Sequence, residues 1–425
     1  MGLTRRALIA GAGVAGLAFT LRRSGSDLEK ATLASPVAQQ VVPVHSDLIY
    51  QSYGVCTHPN FNTTVYADTG AWIDRLATLD VRYFRGLYAE GLESVAQTVS
   101  EARSLGLGWV ATVTPPDWTQ STTALNSRLA HIRDNAADVI IAIEGVNEPN
   151  NIRGGGSPPA DWAEQTLDVQ KAIYEFVKTE MPSTQVIGPS LHATVPTAYA
   201  DHLRLGSLGV QNYFDYAGLH RYFGGRYPDY LVDERLGWIN EAYGDVPTWV
   251  TETGYTNAMA TPDGHLPVPE EVSAAYAPIT VLEFFTRGCQ SIRYELLDDP
   301  DPDNADIESS FGLWRTPSLD SATWTEKPEA DVMRTFLASL KDPGRPFTPE
   351  PVRLKVGAPA NVRWLLTGTR TGVLNLLLWQ AAQIFDPESQ QSVTVPTATA
   401  EIAAIGRSQT VTVPAGEVVV ASLRT

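Results

Sequence analysis

Cysteine is scarce in this chain: Cys56 and Cys289 are the only two among 425 residues. That excludes a disulfide-built scaffold and a four-cysteine zinc site. Basic residues are also in deficit, 31 Lys and Arg against 48 Asp and Glu, a formal net charge of −17. So acidic a chain lacks the basic footprint that a phosphate backbone requires, and no nucleic-acid partner is expected. Beyond residue 25 no run approaches the ~20 consecutive apolar residues of a membrane-spanning helix. Core-forming material is plentiful instead: 43% of residues are hydrophobic, 19% are charged, and there are 10 Trp and 16 Tyr. Length and composition suit one large barrel-sized unit with a smaller companion, not a disordered chain.

The N-terminus reads as an address. Thr4-Arg5-Arg6-Ala7-Leu8-Ile9 leads into an Ala/Gly/Leu/Val run that ends at Leu21. A positive start before about fifteen mildly apolar residues is the shape of an export signal. The Arg5-Arg6 pair and the weakly hydrophobic, Gly-rich run make it twin-arginine-like. Residues 1–34 are therefore expected to direct export, to a secreted, periplasmic or cell-wall-associated location. Thr32-Leu33-Ala34 offers a small-residue cleavage site. Arg22 and Arg23, directly after the apolar run, favour a retained anchor, the one case in which a membrane is a partner. Gly11-Ala12-Gly13-Val14-Ala15-Gly16 matches a dinucleotide-loop pattern, but no strand precedes it, and the export segment accounts for it. Residues 35–48 read as a tether or as a β-sandwich strand.

Residues 49–342 alternate short β-like runs with amphipathic helical runs. The β-like runs are 53–58, 83–88, 108–114, 139–147, 185–190, 214–222, 248–255 and 290–298; helical stretches include 91–105, 162–181, 230–243 and 270–287. Within 162–181, Trp162, Leu167, Val169, Ile173, Phe176 and Val177 recur at spacings that fill one helical face. Eight such alternations predict an α/β fold, a (β/α)8 TIM barrel. A doubly wound open sheet is the alternative, disfavoured because no Gly-rich phosphate loop opens any of the helices. Residues 343–425 change character. Pro343, Pro346, Pro349, Pro351 and Pro359 crowd the start, and short alternating runs separated by turn residues follow, which predicts a C-terminal antiparallel β-sandwich. The β-like segment 37–44 either joins that sandwich or seals the barrel bottom.

Catalytic groups of a β/α barrel sit at the C-terminal ends of its strands. The fourth strand ends in Gly145-Val146-Asn147-Glu148-Pro149-Asn150 and the seventh in Trp249-Val250-Thr251-Glu252-Thr253-Gly254-Tyr255. Each places one Glu at the barrel mouth. Two carboxylates across a cleft are what glycosidic-bond cleavage needs, one to give a proton to the leaving oxygen and one to attack or stabilise the anomeric centre.

Together with His220-x-Tyr222 at the end of strand six, these motifs resemble the clan A retaining glycoside hydrolases, with cellulase-, xylosidase- and arabinofuranosidase-like members the nearest in pattern. The resemblance implies Glu148 as acid/base, Glu252 as nucleophile and Asn147 as the holder of the sugar 2-hydroxyl. It also implies that Arg85 and Tyr222 bond the nucleophile. The charge of Glu252 favours the protonated form of Glu148, and esterification of Glu252 removes that charge and frees Glu148 to act as base. His220 alternates with Tyr222 so that both can face the cleft. His58, ending strand one, and Glu295, in strand eight, are candidates for sugar hydroxyls. Trp118, in the loop after strand three, is a candidate stacking platform.

Strand eight departs from the clan pattern, in which a Trp floors the sugar; here the run is Tyr294-Glu295-Leu296-Leu297, and Trp314 from the following loop is expected to take the stacking role. Asp299, Asp301, Asp303, Asp306 and Glu308 superficially suggest calcium, but the Gly and terminal Glu of an EF-hand loop are missing, and a solvated loop is expected. No metal and no cofactor is expected. The expected function is retaining hydrolysis of O-glycosidic bonds in a poly- or oligosaccharide by a monomer. Alternatives are a cell-wall transglycosylase and an inactive glycan-binding barrel; the presence of both Glu148 and Glu252 weighs against the second.

Overall fold

Eight parallel strands form the body of the chain in the computed structural model, which describes residues 35–113, 122–151, 158–262 and 265–423. The expected export signal and Trp118 lie outside the described residues. The strands are Tyr53–Cys56, Tyr83–Leu87, Gly108–Thr112, Ile140–Glu144, Gln185–Ile187, Ala217–Tyr222, Thr248–Gly254 and Gln290–Arg293. In the sheet, the first runs in order to the fifth on one side and neighbours the eighth, seventh and sixth on the other. The ring closes between the fifth and sixth through the parallel bridge Ile187–Tyr216.

One helix follows each strand: Thr69–Leu79, Glu93–Leu105, Thr122–Asn135, Trp162–Glu180, Ala198–Ser207, Val232–Tyr243, Glu270–Thr286 and Pro328–Leu340. Local chemistry sets their ends. The Asp68 carboxylate accepts from Ala71 N–H at 3.1 Å and caps the first, and Gly106, with φ +68°, closes the second in a left-handed turn that glycine adopts without strain.

Two-residue periodicity builds the barrel interior in layers. Tyr83, Val110, Ala142 and Trp249 belong to one apolar cluster inside the ring. Two residues further along the same four strands stand Arg85, Thr112, Glu144 and Thr251, all buried and all polar. The sequence thus switches from apolar to polar at the level where the strands emerge, and that level floors the site.

The sandwich has two four-stranded sheets. One runs Ser35–Val41, Val352–Gly357, Ala398–Ala404 and Arg407–Val413; the other runs Val44–His45, Val362–Gly368, Leu374–Gln380 and Val419–Ser422. The N-terminal segment therefore supplies an edge strand to each sheet. Leu376 and Leu378 face the sandwich core, and the intervening Leu377 and Trp379 pack with the barrel. That explains why Leu374–Gln380 is apolar with almost no alternation: both of its faces are covered.

Cys56 and Cys289 are buried and free. They sit on neighbouring strands, but the register pairs Arg293 with Val55, so Cys56 lies about five residues, roughly 16 Å, further along than Cys289. That is far beyond the Cα separation a disulfide spans. Burial raises both thiols, Cys289 to about 12. Thiol titration of denatured protein without reductant should count two, and a count of zero at monomer mass would refute this register.

Candidate active site

The fourth and seventh strands bring Glu148 and Glu252 face to face. Carboxylate oxygens of both, and a ring nitrogen of His220, lie within 4.8 Å of one another. Glu148 has φ +46°, a left-handed conformation that a residue with a side chain rarely adopts and that clusters at functional sites. The surroundings hold it there. Its N–H donates to Ser190 C=O at 2.8 Å, and its C=O accepts from Asn151 N–H at 3.0 Å. Three residues earlier, a Cβ on Gly145 would strike the Gln170 carboxamide oxygen, so glycine lets that buried side chain lie against the strand end.

Glu252 is gripped on both oxygens. Arg85 Nη1 donates to Oε1 at 2.8 Å and Tyr222 OH donates to Oε2 at 2.8 Å. Burial, then the Glu252 charge, raise the Tyr222 phenol well above its ordinary range, so it remains a donor. Two residues on, Gly254 has φ +148° and lies against the Arg293 guanidinium, where a side chain has no room. The glycine two residues after Glu252 is thus a steric requirement.

His220 Nδ1 lies 2.9 Å from Glu148 Oε1 and 3.3 Å from Glu252 Oε2. Burial opposes charge on this ring, but Glu252 and Glu148 outweigh burial and raise its pKa. A histidine raised on folding stabilises the fold fully below its unfolded value, about 6.5, and the contribution disappears as pH rises through the folded value. Denaturant titrations of wild type and His220→Asn on either side of that range should therefore show a stability gap that shrinks with rising pH. A gap that is flat or widens contradicts the assigned contacts.

Arg85 uses all three nitrogens. Besides Glu252, Nε donates to Glu144 Oε2 at 2.5 Å and Nη2 donates to Asn147 Oδ1 at 2.7 Å. Burial disfavours its charge, but Glu144 and Glu252 more than compensate, and its pKa is raised. Glu144 was not among the residues expected at the site. It is fully buried and also accepts from Ser190 Oγ at 2.6 Å. Ser190 in turn fits because position 218 is glycine; a Cβ there would strike its hydroxyl. The sequence signal was present: an acidic residue on the inward face of Ile140–Glu144, two beyond Ala142, needs a buried cationic partner.

At the mouth of strands one and eight, His58 Nε2 lies 2.6 Å from Glu295 Oε2, and Tyr66 OH donates to the same oxygen at 3.2 Å. Burial raises the Glu295 carboxyl while His58 works in the opposite direction. Phe61 stacks on His58 at 4.5 Å between centroids and is 38% exposed. Tyr294 was also missed. Its ring packs edge-on to Tyr222 at 6.2 Å and its hydroxyl donates to Glu308 Oε2 at 3.0 Å, so the aromatic at this strand end is a tyrosine.

The stacking role expected of Trp314 is not supported by its surroundings. It is 5% exposed, sits in the main hydrophobic cluster and bridges to Leu297, because the loop returns to pair with the chain beyond strand eight. In the acidic loop, Asp301 accepts from the N–H groups of Ala305 and Asp306 at 2.7 and 2.8 Å, closing a turn.

Glu148, His220 and Glu252 have donor atoms close enough to hold a metal ion. The Arg85 guanidinium, 2.8 Å from Glu252, would repel such a cation, and the donor set fits proton transfer and nucleophilic attack better.

Neither a protein-family model nor a curated protein sequence matches the chain. Solved structures do. A family 51 α-L-arabinofuranosidase from Bifidobacterium longum is 10% identical, with 83% of this chain and 85% of that one covered and a TM-score of 0.57. A glucosidase from Croceicoccus marinus is 11% identical, with 90% and 82% covered and a TM-score of 0.56. An endo-β1,6-glucanase is 14% identical, with 91% and 92% covered and a TM-score of 0.56. The likeness to these three structures is one of fold.

Proposed function

We propose that the chain is a retaining glycoside hydrolase of clan A type, exported by its N-terminal twin-arginine-like segment, that acts on a poly- or oligosaccharide. The observation that carries this is the apposition of Glu148 and Glu252 with oxygens within 4.8 Å of each other. An inverting pair needs roughly 6.5–9.5 Å between carboxyls to admit a water. The neighbouring folds, which include an arabinofuranosidase, a glucosidase and a glucanase, support a glycosidic bond as the target.

In this reading a Glu252 oxygen attacks the anomeric carbon. The bond to the leaving oxygen breaks, and Glu148 gives its proton to that oxygen. Water then attacks the same carbon, Glu148 takes its proton, and the ester bond to Glu252 breaks. Arg85 and Tyr222 orient Glu252, His220 orients Glu148, and Arg85 presents Asn147 to the sugar. Glu295 and His58 supply hydrogen-bonding groups toward the sugar hydroxyls, and Phe61 offers an apolar face at the rim.

A panel of aryl glycosides and polysaccharides, with Glu252→Ala as control, would identify a substrate. Proton NMR of the first turnovers should then show product with retained anomeric configuration. Initial product of inverted configuration would overturn the assignment of both carboxylates.

A further inference from the structure

Barrel and sandwich meet where the sixth strand, carrying His220 and Tyr222, leaves the barrel. The loop that follows, residues 223–231, contains Gly224 at φ +55° and Gly225 at φ +71°, both left-handed. Paired glycines at positive φ give a loop little stiffness of its own. Its backbone is nonetheless bonded, and by the sandwich. Gln383, just past the strand Leu374–Gln380, donates from Nε2 to Gly225 C=O at 3.0 Å, and its Oε1 accepts from Tyr227 N–H at 2.6 Å. One side chain thus satisfies one acceptor and one donor of the turn. A Cβ at Gly225 would meet Pro387 at 2.6 Å, so the loop is seated directly on the sandwich connection.

Further contacts fix the same junction. Arg363 of the sandwich donates to Asp229 at 2.7 Å. The fully buried Glu283, on a barrel helix, accepts from Tyr227 OH at 2.7 Å and from Trp379 Nε1 at 2.8 Å. On its other side the loop touches the end of strand seven, where Tyr255 OH donates to Arg226 C=O at 2.9 Å. Tyr255 lies three residues beyond Glu252.

We infer that the β-sandwich serves the reaction by clamping this loop, with Gln383 as a positioning residue that acts through the backbone of Gly225 and Tyr227 on Tyr222 and His220. The inference rests on the glycosidase reading above. It gives the sandwich a part in the active site without requiring it to touch sugar.

The test compares Gln383→Ala with Leu376→Ala in the full chain. Leu376 is buried in the sandwich core on the face away from the barrel, so its truncation weakens the sandwich without touching the loop. Hydrogen exchange is followed in peptides spanning 223–231, and kcat and KM on the best substrate. Gln383→Ala should speed loop exchange and lower kcat at least ~10-fold with KM little changed, because small misplacements of reacting groups cost rate. Leu376→Ala should lower Tm at least as much and leave both loop exchange and kcat near wild type. Gln383→Glu keeps the acceptor for Tyr227 N–H but sets an oxygen against the carbonyls of Gly225 and Phe385, so it should not recover the loss. Unchanged loop exchange in Gln383→Ala overturns the clamp, as does an equal loss of kcat in Leu376→Ala. A wild type inactive on every substrate sinks the glycosidase reading alone, and loop exchange still decides for or against the clamp.

Discussion

Glu252→Ala is expected to lower kcat by at least ~10⁴-fold on every substrate, because it removes the carboxylate assigned to form the covalent bond. Glu148→Ala should behave differently. With poor leaving groups the loss should be about 10²–10⁴-fold, the usual worth of a positioned acid. With activated aryl groups, which depart without a proton, the first step should survive, and the glycosyl ester should accumulate as a burst. Azide, which needs no general base, should then release a glycosyl azide. The His220 contacts argue that the two residues stay distinct in this way: one ring nitrogen lies near both, but Arg85 and Tyr222 grip only Glu252. Identical responses of both variants to leaving group and azide would reverse or abolish the role assignment.

The largest stability effect should come from Arg85. Arg85→Met leaves Glu144, with none of its surface exposed, as a buried charge without its cation. Removing one member of a buried ion pair typically costs about 3–5 kcal/mol. Equilibrium denaturation should register that loss, and kcat should fall as well, since Glu252 and Asn147 lose a common donor. Arg85→Met combined with Glu144→Leu discriminates between the two effects. Replacing the whole pair by apolar side chains should restore most of the stability and none of the activity. A single variant as stable as wild type, or a double variant that regains turnover, contradicts the arrangement.

Strands such as Gly108–Thr112 and Ile140–Glu144 were legible as short, largely apolar runs bounded by polar turns, whereas Gln290–Arg293, with one apolar residue in four, was legible mainly from its place in the alternation. Helices with strong apolar stripes, such as Trp162–Glu180, were legible from those stripes, whereas Thr122–Asn135 carries few apolar residues and was not singled out. Glu148 and Glu252 stood out because strand-end motifs surround them with residues of restricted geometry. Glu144 was hidden by the same apolar run that revealed its strand: a sequence shows an acidic residue there but not the guanidinium opposite, which arrives from 59 positions away. Tyr294 and Trp314 show the limit for aromatics. Composition says that a ring will be buried, and only the return of the chain after strand eight decides which of the two faces Tyr222 and which fills the core.

The entry of the N-terminal segment into both sandwich sheets makes the barrel an insertion between the first and last strands of another module. Val41 pairs with Val352, so the first strand waits for a partner made roughly 300 residues later. At the usual ~5–20 residues per second of synthesis, that is a delay of about 15 to 60 seconds during which an unpaired edge is open to mispairing. The first sheet therefore cannot close until residue 352 and its neighbours have been made, by which time the barrel's local β/α contacts can already have formed. For the same reason a fragment beginning at residue 343 omits an edge strand from each sheet, and should not be expected to fold as an independent module.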